Sequence, residues 1–83
     1  MRRFEEAIAA HQDAAEISRE TGDRHSEAMA LNNLGVALRN VRRFEEAIAA
    51  HQDAAAIFRE TGDRYRERKA LKNLDPDRIA QQT

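Results

Sequence analysis

Residues 2–15 read Arg2-Arg3-Phe4-Glu5-Glu6-Ala7-Ile8-Ala9-Ala10-His11-Gln12-Asp13-Ala14-Ala15, and the same fourteen residues return as Arg42–Ala55, forty positions later. The echo runs further. Of 33 aligned pairs between 2–34 and 42–74, seven differ (at 16, 18, 25, 26, 28, 29 and 32), which leaves 26 identities. A fixed period of roughly 20–50 residues marks a solenoid, in which one supersecondary unit stacks on a copy of itself. The repeat speaks to architecture first and to function second.

Inside the doubled stretch Phe4, Ala7, Ile8, His11, Ala14 and Ala15 recur at helical spacing, with Ile17 and Ser18 extending the stripe. Glu5 and Glu6 occupy the first turn, where carboxylates suit the exposed N–H groups. Thr21-Gly22-Asp23 supplies a left-handed C-cap glycine and then an N-cap aspartate, a tight helix–helix turn. A second helix follows from Arg24 to Val41, with the stripe Ala28, Leu31, Leu34, Gly35, Leu38 and Val41. Gly35 in mid-helix costs about 1 kcal/mol against alanine, which implies close approach of a neighbouring helix. The third helix, Phe44 to Thr61, repeats the first with Phe58 in place of Ser18, and Gly62-Asp63 repeats the turn.

A fourth helix starts at Arg64. Asp75-Pro76 then stands where the earlier copy has Gly35-Val36. Proline removes a donor and restricts its predecessor, so this helix is predicted to stop near Leu74, with at most a last short turn through Ile79 and fraying from Gln81 to Thr83. The expected organisation is one domain over 1–83: a half repeat 2–22, a full repeat 24–62, a partial capping repeat 64–75 and a tail 76–83. The fold class is all-α, an antiparallel helical-hairpin solenoid of three long helices and a short fourth.

Composition narrows the function classes. Fourteen basic and fifteen acidic residues leave a formal charge of −1, so no global field draws the chain to nucleic acid or anionic lipid. The absence of cysteine removes disulfide staples and fits a reducing compartment. No apolar run is long enough to cross a membrane, and the acidic start is unlike a signal peptide. The expectation is a cytoplasmic protein. His11 and His51 are the same repeat position and each lies alone on its helix, which favours interhelix packing over metal binding; His25 reads as a surface or turn residue. No nucleophile elbow, phosphate loop or paired cysteine is present, so no enzyme, metal or cofactor is expected. The basic run Arg64-Tyr65-Arg66-Glu67-Arg68-Lys69 is interrupted by Glu67, and reads as a solvated cap face rather than a nucleic-acid surface.

Ala30-Leu31-Asn32-Asn33-Leu34-Gly35-Val36-Ala37-Leu38, followed by Phe44-Glu45-Glu46-Ala47-Ile48, Ala54 and Ile57, resembles a tetratricopeptide repeat. Leu31, Leu34, Gly35 and Leu38 match the pattern of the first helix of that family; Phe44, Ala47, Ile48 and Ala54 match the second. The period of forty is similar to a long-repeat subclass. The resemblance implies a non-catalytic interaction module whose partner is a protein or peptide, held along the face formed by the first helix of each repeat. Here that face carries Met29, Asn32, Asn33, Val36, Arg39 and Asn40, then Lys69, Lys72 and Asn73. Asparagine amides there would hold a peptide backbone, and Arg39, Lys69 and Lys72 would favour acidic side chains.

Asn40-Val41-Arg42-Arg43 lacks the glycine that the family places between its two helices. Two readings are open. Asn40 supplies a left-handed residue and the chain turns, or helices two and three run on as one rod from 24 to 61 and swap with a second chain. Helix one also lacks a helix before it, so its stripe has no partner. Both features point to a homo-oligomer, with Phe4, Ile8, Val41 and Arg42 as the self-association residues. A self-assembling unit without a separate ligand is therefore the alternative to peptide binding.

Overall fold

The structure, a computed structural model, describes residues 2–82. Its four helices are α1 (Arg2–Thr21), α2 (Arg24–Asn40), α3 (Phe44–Glu60) and α4 (Arg64–Gln82). Each packs on the next, and α2 also meets α4. The α1 and α3 helices flank a groove floored by Leu31 and Leu34 of α2. The result is a flattened zigzag, 35 × 26 × 15 Å across its Cα atoms.

The turns follow from the capping residues. Gly22 and Gly62 take φ of 78° and 77°. Behind them the amides of Asp23 and Asp63 donate back to the carbonyls of Ser18 and Phe58, and those of Gly22 and Gly62 to Arg19 and Arg59, closing the same Schellman motif twice. Asp23 caps α2 by accepting from the Ser26 amide, at 3.1 Å, and from its hydroxyl, at 2.7 Å. These bonds hold its carboxyl below the usual carboxylate range. Asp63 does the same for α4, its carboxyl held low first by the Arg66 amide and then by the Arg66 guanidinium.

The rod from 24 to 61 does not form. The chain leaves α2 at Asn40 and turns through Val41 and Arg42, and the left-handed residue is Arg42, at φ 66°, rather than Asn40. The Arg43 amide donates to the Leu38 carbonyl and the Arg42 amide to that of Arg39, a Schellman closure with arginine in the glycine position. A non-glycine residue there costs about 1–2 kcal/mol. Local partners offset part of it: the Arg42 guanidinium lies 5.6 Å from the centre of the Phe44 ring, and Arg43 pairs with Glu46. The turn also lets α3 bury its apolar stripe on α2.

The fourth helix also departs from expectation. It is continuous across Pro76 to Gln82, so it is a long helix rather than a short one, and the described part of the tail 76–83 is helical. The proline costs one backbone bond, but α4 is pinned on both sides of it. Leu74 is buried before it, and Asp77 is fully buried after it. Tertiary contacts thereby override the local preference to stop.

The core has two centres. Ile8, Leu34, Ala37, Leu38, Ala47 and Ala50 form one. Phe58 packs with Ala28, Ala54, Ala55, Ile57 and Ala70 in the other. Leu31 joins the two. Alanine supplies three of the six residues of the first and four of the six of the second, which allows the helices to approach closely.

Candidate protein-interaction site

The tightest approach is between α2 and α3. A Cβ added to Gly35 would fall 2.5 Å from both Cε1 and Nε2 of His51, so only glycine fits there without displacement. Close approach explains this glycine, as the sequence suggested, and the neighbour is the His51 ring. That ring is fully buried. Its Nδ1 donates to Asp77 Oδ2 at 2.5 Å, and Arg39 donates to Asp77 Oδ1 at 3.0 Å. Its Nε2 lies buried against Gly35 without a hydrogen-bond partner. A His–Asp pair can serve as an acid–base dyad, but both side chains here are 0% exposed and no substrate could reach them. The pair is a clamp that ties α2, α3 and α4 together. Asp77 was not legible as a partner. The signal was there: forty residues earlier its place is held by Ala37, at a position facing the histidine stripe.

The other histidines are placed separately. His11 is half-buried on α1, and His25 is exposed, with its ring centre 5.9 Å from that of Phe58 in an edge-on arrangement and Nε2 3.4 Å from Asp63. Among the described residues no group of three or more His, Asp or Glu side chains is placed to hold a metal ion. No described helix is long and apolar enough to cross a membrane.

The face of α2 and α4 carries a depression of about 270 Å³ lined by Met29, Asn32, Asn33, Phe58, Tyr65, Arg66 and Lys69. A smaller one beside it is lined by Tyr65, Arg68, Lys69 and Lys72. No carboxylate lines either. Four of the expected groove residues thus meet here: Met29, Asn32, Asn33 and Lys69, with Lys72 adjoining. The other four are placed elsewhere, Asn40 beside Val36 on the α1 side of α2. Asn73 donates to the Asn32 side-chain oxygen at 3.3 Å, joining α4 to α2. Arg39 is held by Asp77. Val36 sits half-buried on the α1 side of α2. Tyr65 and Arg66 were not among the expected residues; they replace His25 and Ser26 of the first copy. Lys69 reaches over the Tyr65 ring, 5.4 Å from its centre. The larger groove between α1 and α3, about 530 Å³, has the opposite character: Glu16, Glu27, Asp53 and Glu60 line it with only Arg19 and Arg24. Arg24 there bridges Glu27 at 2.8 Å and Glu60 at 2.7 Å.

The family model of the tetratricopeptide repeat matches residues 1–60. The chain belongs to the tetratricopeptide-repeat family. Neither the curated proteins nor the solved structures compared with it gave a match. Membership agrees with the all-α hairpin architecture and suggests a protein–protein interaction module.

Of the residues expected to mediate self-association, Ile8 is not on an open face. It is buried on α2 with Leu34, Ala37 and Leu38, and Val41 packs against the same centre. Phe4 and Arg42 are exposed.

Proposed function

We propose that this tetratricopeptide repeat binds an extended, acidic-leaning peptide across α2 and α4. The observation that carries the reading is the sign of that face. Arg66, Arg68, Lys69 and Lys72 surround the two adjoining depressions, whose linings hold no carboxylate although Arg66 also pairs with Asp63, while four carboxylates line the groove between α1 and α3. Met29 and Tyr65 add exposed apolar surface beside the cations, and Asn33 offers an exposed amide to a peptide backbone. The binding is non-catalytic in this reading, and a cytoplasmic setting remains the companion expectation.

The test is a fluorescence-anisotropy titration with an acidic peptide library. Changing Lys69 and Lys72 together to alanine should weaken the selected peptides at least about tenfold, roughly 1.4 kcal/mol. Binding should also weaken as salt rises. Selected peptides that bind the double variant equally well would refute the reading. Self-association, the other expectation, would draw on the open face of α1.

A further inference from the structure

The chain is almost neutral, but its charge is sorted by layer. Across α1 and α3 the sequence holds nine acidic and four basic residues, a formal −5. Across α2 and α4 it holds eight basic and four acidic residues, a formal +4. The charged residues of the turns, Asp23, Arg42, Arg43 and Asp63, cancel. These helix pairs are the two sides of the zigzag: α1 and α3 flank one groove, and α2 meets α4 on the other side. The molecule is a plate with one anionic and one cationic face.

Part of that charge has no partner within the chain. In the groove Arg24 pairs with Glu27 and Glu60, but among the described residues no cation pairs with Glu16 or Asp53. On the other face Arg66 pairs with Asp63, whereas no described carboxylate pairs with Arg68, Lys69 or Lys72. All five of these side chains without an ion pair are exposed.

We propose that the groove between α1 and α3 receives the α2–α4 face of a second copy of this chain. The contact is heterologous: the back of one molecule meets the front of the next. Charge selects this arrangement. A net charge of −1 gives whole copies little mutual repulsion, while their opposite faces attract. A symmetric pair would instead set like faces together. Residues 68, 69 and 72 lie close on one side of α4, so their cations enter the groove as a group. The broadest outline of the molecule, 35 × 26 Å, is close to the roughly 800 Å² per partner of a standard interface. Full overlap therefore gives an ordinary, reversible contact that depends on salt. The inference rests on the proposed role of the α2–α4 face and adds a partner for it, so acidic peptides and a second copy compete for Lys69 and Lys72.

Sedimentation equilibrium of the full chain, from micromolar to millimolar, is the test. Average mass should rise with concentration at about 10 mM salt, where the screening length is about 30 Å. Association should weaken at least about tenfold at about 0.1 M, where that length is about 10 Å. Two double variants then locate the contact. Glu16→Ala with Asp53→Ala strips the groove, and Lys69→Ala with Lys72→Ala strips the other face. All four positions are exposed, so both variants should keep the parent's helicity and melting temperature. Each variant alone should stay monomeric. Their equimolar mixture should give one-to-one dimers and nothing larger, because a single intact pair of faces remains. A parent chain that is monomeric at about 10 mM salt overturns the proposal. So does association unchanged by salt, self-association of the groove variant, or a mixture that does not dimerise. A lysine-rich peptide that binds the groove while the parent stays monomeric also overturns it, and assigns the groove to a foreign segment. The groove variant should still bind the acidic peptides selected above, so failure here and failure of the peptide reading are separate results.

Discussion

The α1 and α3 helices are built from nearly the same sequence and live in different surroundings. Ile57 is 6% exposed; its twin Ile17 is 59% exposed. Ala54 is fully buried and Ala14 is exposed; His51 is enclosed and His11 is half open. The α3 helix lies between α2 and α4, whereas α1 packs on α2 alone. Identical side chains are thus core in one copy and available surface in the other. Neighbours, rather than composition, assign the role.

The contrast is sharpest at Asp77. Asp77→Ala would strand the enclosed His51 Nδ1 and leave Arg39 without its carboxylate, at a cost of about 3–4 kcal/mol. Chemical denaturation should show it as a fall in the midpoint with little change in slope. Only the α3 copy has this clamp, so His11→Ala should cost under about 0.5 kcal/mol in the same assay. The isoleucine pair breaks or sustains the comparison next. Ile57→Ala should destabilise by about 3 kcal/mol, and Ile17→Ala by under about 0.5 kcal/mol. Equal costs would mean that α1 is covered after all.

Gly35 yields a smaller effect with a diagnostic sign. Alanine gains about 1 kcal/mol of helix propensity but pushes into the His51 ring, for a net loss of about 1 kcal/mol. In a His51→Ala background the same change should become stabilising, and thermal melts of the four proteins in the cycle would read the reversal. The smallest change expected is a gain. Arg42→Gly relieves the left-handed arginine and should stabilise by about 0.5–1 kcal/mol, without altering the hairpin. A changed molar mass in light scattering would contradict the turn described above.

Much of this fold was legible because the repeat and the capping residues agree. Gly22-Asp23 and Gly62-Asp63 turn as their chemistry demands, and Gly35 marks the close approach. The misreadings came where a distant partner outweighs a local rule. Pro76 reads as a stop, yet buried Leu74 and Asp77 carry α4 through it. Asn40 reads as the left-handed residue, yet Arg42 takes that conformation in a turn closed by backbone bonds and a Phe44 contact. Arg39 reads as a free cation in a groove, but Asp77, 38 positions away, claims it. Ile8 reads as open surface because the stripe of α1 is wide enough to face two helices, and the structure shows which half is spent on α2.

Native-state amide hydrogen exchange across residues 4–18 and 44–58 tests the contrast most directly. The two segments share almost every side chain, so intrinsic exchange rates nearly cancel. Amides of α3 should exchange only at close to the global unfolding free energy, and those of α1 substantially faster, through opening of a helix packed on one side. Equal protection of the two helices would show that α1 is covered on both sides as α3 is, and would contradict the difference between the two copies.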